Sequence, residues 1–283
     1  MKKVNSISGG KTSAYIAANY PADYNIFALV RTDDVRCIFP DDKVRQIVSD
    51  KIGCEFIGTL EMDDIIYTIL DLEQFIGQEI NWVTGKTFDE IIKKPSGKIY
   101  LPNPTQRFCT KEMKLRPLFD WWRNNINDPV EMRIGFRANE VKRADNMISK
   151  TDENGLLSFK GIIGKHENGN NKWKEIKWQK PVFPLIKDVI FKDKIESFWS
   201  EKSVRFAYLN NCVGCFHRNP LLLKHMSNTH SNKFDWFLEK ESIAEGKRTW
   251  RMEFNYSDVK KAFTQISLFD EDFNDCDSGF CGL

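Results

Sequence analysis

The chain of 283 residues has no apolar run near the roughly 18–20 residues that span a bilayer. Its start, MKKVNSISGGKTS, turns polar at once and offers no signal-peptide apolar segment, so a cytoplasmic protein is expected. There is little net charge: 42 Lys and Arg stand against 40 Asp and Glu, leaving +2. Whole-chain electrostatics therefore give no case for nucleic-acid or membrane binding, and only a local basic patch would make one. Internal repeats and low-complexity linkers are absent. The seven cysteines are odd in number and scattered, which argues against a disulfide framework and toward thiols, metal ligands or a redox role. What is present is ordinary for a folded globular chain: 41% hydrophobic and 29% charged residues, with 21 Phe, 8 Trp and 7 Tyr.

Strand and helix signals alternate over the first part of the chain. Val4–Ser8 reads as a strand and Lys11–Asn19 as a helix closed by Pro21. Asn25–Arg31 is a second strand, Asp41–Ile52 an amphipathic helix, Glu55–Gly58 a short strand and Asp63–Gly77 a helix. Residues 80–107 read as loop around Pro95, Pro102 and Pro104. A helix follows over Thr110–Asn124, then a strand over Val130–Phe136. Residues 157–180 read as a hairpin turning at Asn168-Gly169-Asn170-Asn171, Asp188–Ser200 as a helix, and 219–227 and 232–244 as two more. The pattern predicts an α/β fold, a doubly wound, mainly parallel sheet with a small C-terminal helical, cysteine-containing lobe. The expected division is 1–205 for the α/β domain, 206–268 for the lobe and 269–283 for a mobile acidic tail.

Ser8-Gly9-Gly10-Lys11-Thr12-Ser13 joins the first strand to the first helix. Two glycines permit a tight turn and close ligand approach. The helix start offers free N–H groups, and Ser8, Thr12, Ser13 and Lys11 add hydroxyls and charge, which together suit a phosphate or sulfate. The plain alternative is a strand–helix turn. The spacing is neither the Walker loop nor G-x-G-x-x-G.

SGGKTS resembles the SGG-x-D-S loop of the PP-loop (adenine nucleotide α-hydrolase-like) superfamily, and the chain is most similar there to the phosphoadenosine phosphosulfate reductase family. Further segments resemble that family in order. They are Arg107-Phe108-Cys109-Thr110 with Lys114 and Pro117, Gly135 to Arg143 (GFRANEVKR), Pro184-Leu185 with Asp188-Val189, and Asn211-Cys212-Val213-Gly214-Cys215. The resemblance runs from residue 4 to about 240. It implies a Rossmann-like fold and an adenine nucleotide or sulfonucleotide held by the SGGKTS loop with Arg107, Lys114, Arg137, Glu140 and Arg143. Thr12 stands where ATP-using members carry an Asp that helps to hold magnesium–pyrophosphate.

Arginines suit such an anion because a guanidinium binds it through two parallel hydrogen bonds. Arg137, Glu140 and Arg143 are also spaced for a structural ion-pair ladder. Cys212-x-x-Cys215 is tight enough to chelate a metal. The resemblance adds Cys109 and implies a [4Fe–4S] cluster, although Thr110 stands where the iron–sulfur reductases carry a second cysteine. Zinc, with His217 as fourth ligand, is the alternative, and buried free thiols are a third reading. The tail Phe280-Cys281-Gly282-Leu283 resembles the E-C-G-[IL]-H segment that carries the reductases' nucleophile. Cys281 is thus the expected catalytic residue, attacking sulfonucleotide sulfur to give a thiosulfonate that a thiol donor such as thioredoxin or glutaredoxin resolves. A terminal thiol without a role, or one paired with Cys276, is the other possibility.

Lys165, Lys172, Lys174, Lys177 and Lys180 interleave with His166, Trp173 and Trp178, either as a nucleic-acid surface or as a solvated lysine face over buried tryptophans. Three functions follow. The first is a sulfonucleotide reductase-like enzyme. The second is an ATP pyrophosphatase, using magnesium, that adenylates a nucleic acid for sulfur insertion. The third is a degenerate nucleotide-binding sensor or assembly subunit.

Overall fold

The computed structural model describes residues 1–244, 246 and 248–262. The expected tail, with Cys276 and Cys281, lies outside them. One six-stranded sheet organises the chain in the order β3-β2-β1-β4-β6-β5. Its strands are β1 (Lys2–Ile7), β2 (Tyr24–Leu29), β3 (Ile80–Thr84), β4 (Val130–Arg133), β5 (Leu157–Lys165) and β6 (Asn171–Val182). All neighbouring pairs are parallel except β5–β6, which is antiparallel. The protein is an α/β structure with a mixed, mostly parallel sheet.

Both faces of the sheet are covered, as parallel strands require. Ile7, Phe27, Leu29 and Trp82 face one core, while Val4, Ile26, Ala28, Val83 and Met132 face the other. Neighbouring positions thus go to opposite sides, following the two-residue strand period. The first core takes α1 (Lys11–Asn19), α3 (Asp64–Ile76) and the helices beyond the sheet. These are α10 (Pro220–Thr229), α11 (Ser231–Ser242) and α12 (Tyr256–Lys261). The second core takes α6 (Arg116–Asn125) and α7 (Val141–Ile148). Residues after 206 share the first core with the sheet. Phe88, Trp236, Phe237, Trp250 and Tyr256 form one buried aromatic cluster there. Its polar tips are satisfied: Trp250 Nε1 donates to the Phe237 carbonyl at 2.9 Å and Tyr256 Oη to the Gly214 carbonyl at 3.0 Å.

Several local expectations are corrected. Glu55–Gly58 is not a strand. A Cβ on Gly58 would lie 1.8 Å from the Cys37 carbonyl oxygen, so the 35–38 turn crowds it and only isolated bridges form. The third strand lies instead within the expected loop, at Ile80–Thr84, and the short helix α4 (Phe88–Ile92) follows it, capped by Thr87 and Glu90. The expected helix at Asp188–Ser200 begins only at Lys192, as α9 (Lys192–Ser200), because Val189 has φ of 54° and separates it from a short helix upstream, α8 (Pro184–Lys187). The helical stretch after Arg107 contains a π-helical turn, Lys111–Leu115, between Phe108–Thr110 and α6. Among the described residues no helix is long and apolar enough to cross a membrane.

Candidate functional site

β1 lies between β2 and β4. The chain leaves β1 into α1 on one face and leaves β4 into α7 on the other. Parallel sheets bind ligands at the strand C-terminal ends where successive connections diverge in this way. Two of the singled-out segments meet there. Gly135, after β4, sits so close to the turn after β1 that a Cβ on it would lie 3.4 Å from Ser13 N and from Thr12 Cγ2.

The turn itself is built by internal bonds. Ser13 Oγ donates to the Gly10 carbonyl and accepts the Ser8 N–H, both at 3.0 Å, and lies 3.1 Å from Ser8 Oγ. Gly9 has φ of 82°, and a Cβ there would meet Ile65 Cγ2 at 2.6 Å. At Gly10 a Cβ would lie 2.3 Å from Asn210 Nδ2. Both glycines are thus required by the protein's own packing. The Lys11 ammonium is paired with Glu196 of α9, and the Lys11 carbonyl accepts Trp199 Nε1 at 2.9 Å.

The arginine segment forms the ion-pair ladder that stood as the alternative to ligand contact. Glu140 accepts the Arg137 N–H at 2.9 Å and its Nε at 3.2 Å, and also pairs with Arg143. The Arg143 guanidinium lies 4.4 Å from the Phe136 ring centre, and Phe136 stacks on Phe183. Asp188, of the proline segment, accepts Tyr20 Oη at 2.6 Å and so ties that segment to the end of α1.

Ser8, Cys109, Cys212, Cys215 and His217 line one narrow cavity of about 80 Å³ at the ends of β1 and β2. Cys109 comes from the helical stretch before α6. The Cys212–Cys215 turn is clamped from several sides: Val213 N–H donates to the Leu60 carbonyl at 2.8 Å and Cys215 N–H to the Cys212 carbonyl at 3.0 Å. Buried Arg218 reaches the carbonyls of Asn210 at 2.6 Å, Asn211 at 3.1 Å and Cys212 at 3.1 Å. A Cβ on Gly214 would lie 2.4 Å from the Phe237 ring.

Burial pushes the Cys109 thiol up to about 11, with Cys215 adding to it. Cys212 is raised well above the ordinary thiol value by burial, then by Glu61 and Cys215. His217 is pushed down to about 4 by burial, helped by Arg107 and Arg251, and so stays neutral. This donor set fits a soft metal or cluster. The three cysteines are half-buried, Cys215 adds to the upward shift of both Cys109 and Cys212, and a cation among them would reverse these penalties. As they stand, no three His, Cys, Asp or Glu side chains among the described residues close into a metal shell.

Sequence reasoning missed the charged floor of this cavity. Glu61 is 2% exposed, accepts Lys114 Nζ at 2.9 Å, and bridges Cys212 through its backbone. Lys233 Nζ donates to the Glu61 carbonyl and to Asp63 Oδ1, both at 2.7 Å. Lys114 is thus held at the cavity by an acid. Arg107 borders the next cleft, and its Nε and Nη2 are buried without a hydrogen-bond partner among the described residues. Such orphaned donors are open to a partner such as a water or an anion.

No protein-family model matches the chain, and neither a curated protein nor a solved structure matches it.

Proposed function

We propose that the chain is a sulfonucleotide reductase-like enzyme of the phosphoadenosine phosphosulfate reductase family, with the PP-loop superfamily's adenine nucleotide α-hydrolase-like fold. The observation that carries this reading is one cavity at the β1 and β2 ends lined by Ser8 of the glycine turn and by Cys109, Cys212 and Cys215. The parallel order β3-β2-β1-β4 supports the fold assignment.

In this reading the first-turn amides of α1 and the Ser8 and Thr12 hydroxyls receive the anionic end of an adenylyl sulfate. Arg107 supplies unpaired donors to it. Arg137 and Arg143 present a cationic wall fixed by Glu140, so little ordering is needed on binding. Cys109, Cys212 and Cys215 would hold a [4Fe–4S] cluster, with zinc and His217 the alternative filling. A cluster held there would supply redox-active iron beside the nucleotide. Cys281 carries the nucleophilic thiolate. It bonds to sulfonucleotide sulfur as the S–O bond to AMP breaks, and a thiol donor then displaces sulfite and leaves a disulfide.

An anaerobic turnover assay tests this on wild type and Cys281→Ser. Adenylyl sulfates are offered with a thiol donor, and ATP with magnesium and RNA or DNA is offered separately. The expected result is sulfite release that is lost in Cys281→Ser. Pyrophosphate release from ATP, indifferent to Cys281, would overturn it in favour of nucleic-acid adenylation. Nucleotide binding with neither product would leave a sensor.

A further inference from the structure

The β5–β6 hairpin is unlike the rest of the surface. Between 157 and 182 it holds six lysines and two glutamates, a surplus larger than the whole chain's +2. All six lysines are exposed. Lys177 is paired with Asp152 at 2.5 Å, whereas Lys160, Lys172 and Lys174 have no carboxylate partner among the described residues.

The hairpin's two tryptophans part company. Trp178 is 2% exposed and belongs to the second core. Trp173 is 44% exposed, pairs across the strands with half-exposed Ile162, and has the Arg116 guanidinium 5.6 Å from its ring centre. A solvated lysine face over buried rings would put both inside.

The hairpin leads into a cleft of about 560 Å³. Arg107, Lys111, Lys150 and Lys160 supply positive charge along its walls against one acid, Glu175, and Phe159 and Trp178 form apolar wall. Lys111 and Arg116 lie 5.9 Å and 5.2 Å from the Phe159 ring centre. Thr110 and Leu115 belong both to this cleft and to the cysteine cavity, so the two are neighbours across a shared wall.

We propose that single-stranded nucleic acid binds along the β5–β6 hairpin, with a base stacked on Trp173, and runs toward the cleft at Lys160 and Lys111. The chemistry is that of a non-sequence-specific strand track: unpaired lysines for phosphates and an exposed ring for a base. It goes beyond the reductase reading and does not depend on it.

The test is fluorescence anisotropy of the full chain with labelled single-stranded RNA and DNA of mixed sequence, over a salt series. No nucleotide is added, so the outcome is separate from turnover. Expected is binding whose log affinity falls linearly with log salt. Lys172→Gln with Lys174→Gln should lower the slope by about 0.7 per lysine. Trp173→Ala should weaken binding about 5- to 150-fold. These positions are exposed, and unchanged melting of the variants establishes that the fold is intact. Binding of either oligonucleotide supports the track, and the tighter one names the sugar. Absence of binding, binding unmoved by the hairpin variants, or binding only to anionic phospholipid vesicles overturns it.

Discussion

The Asn210 side-chain amide stands where a side chain on Gly10 would have to be, with 2.3 Å between Nδ2 and an added Cβ. The glycine turn and the segment leading into the cysteine loop are therefore fitted to one another. Arg218 fixes the Asn210 backbone by donating to its carbonyl at 2.6 Å, so any retreat has to come from the side chain itself.

Gly10→Ala should destabilise the fold by about 1–3 kcal/mol through overpacking. The double variant with Asn210→Ala should recover most of that loss. Thermal unfolding of Gly10→Ala, Asn210→Ala and the double variant measures it, and a Gly10→Ala protein as stable as wild type would show that the loop shifts freely.

Glu61→Ala should cost about 1–3 kcal/mol, because it leaves Lys114 without its buried acceptor. Glu61→Gln keeps an oxygen for Lys114 and should cost less. Denaturant unfolding at constant slope separates the two.

Asp71 accepts Arg205 Nε and Nη2, each at 2.7 Å, tying α3 to the chain beyond α9. These hydrogen bonds hold its carboxyl below the ordinary 3.8. A depressed folded value contributes stability above pH 3.8 that is lost as pH falls through the folded value. Asp71→Asn should therefore flatten the melting temperature's decline below pH 4. It should cost only about 0–1 kcal/mol near pH 7, because Arg205 is mostly exposed. Melting scans across pH 2.5–7, as an order-of-magnitude window, check both arms.

Anaerobically purified protein should carry iron and sulfide, or zinc, that single Ser substitutions at Cys109, Cys212 or Cys215 remove. Elemental analysis with an absorption spectrum reads this. Metal retained in all three variants would place it elsewhere.

The sheet's first strands were legible because β2, YNIFAL, is largely apolar and β1, KKVNSI, runs straight into the turn chemistry of Ser8-Gly9-Gly10. β3 was hidden: five residues, INWVT, stand next to a proline-rich stretch, and only pairing with β2 makes them a strand. The cysteines were legible as candidates from spacing, and their meeting at one cavity was not. Glu61 stands in an acidic run, Glu61-Met62-Asp63-Asp64, at the start of α3. Its burial depends on Lys114 and Lys233, 53 and 172 residues away, and no local pattern carries such a distance. The hairpin's turn was plain, while the opposite fates of Trp173 and Trp178 follow from where α6 lies.

Tyr256 grips the Gly214 carbonyl from inside the aromatic cluster that also holds Phe88 and Trp236. The cysteine turn thus has no private melting step: loosening it means opening the core beneath the sheet. Occupancy at Cys212 and Cys215 should then be audible across the whole molecule. Slow amide exchange along β1 and β2, whose ends border the cavity, would report whether it is filled.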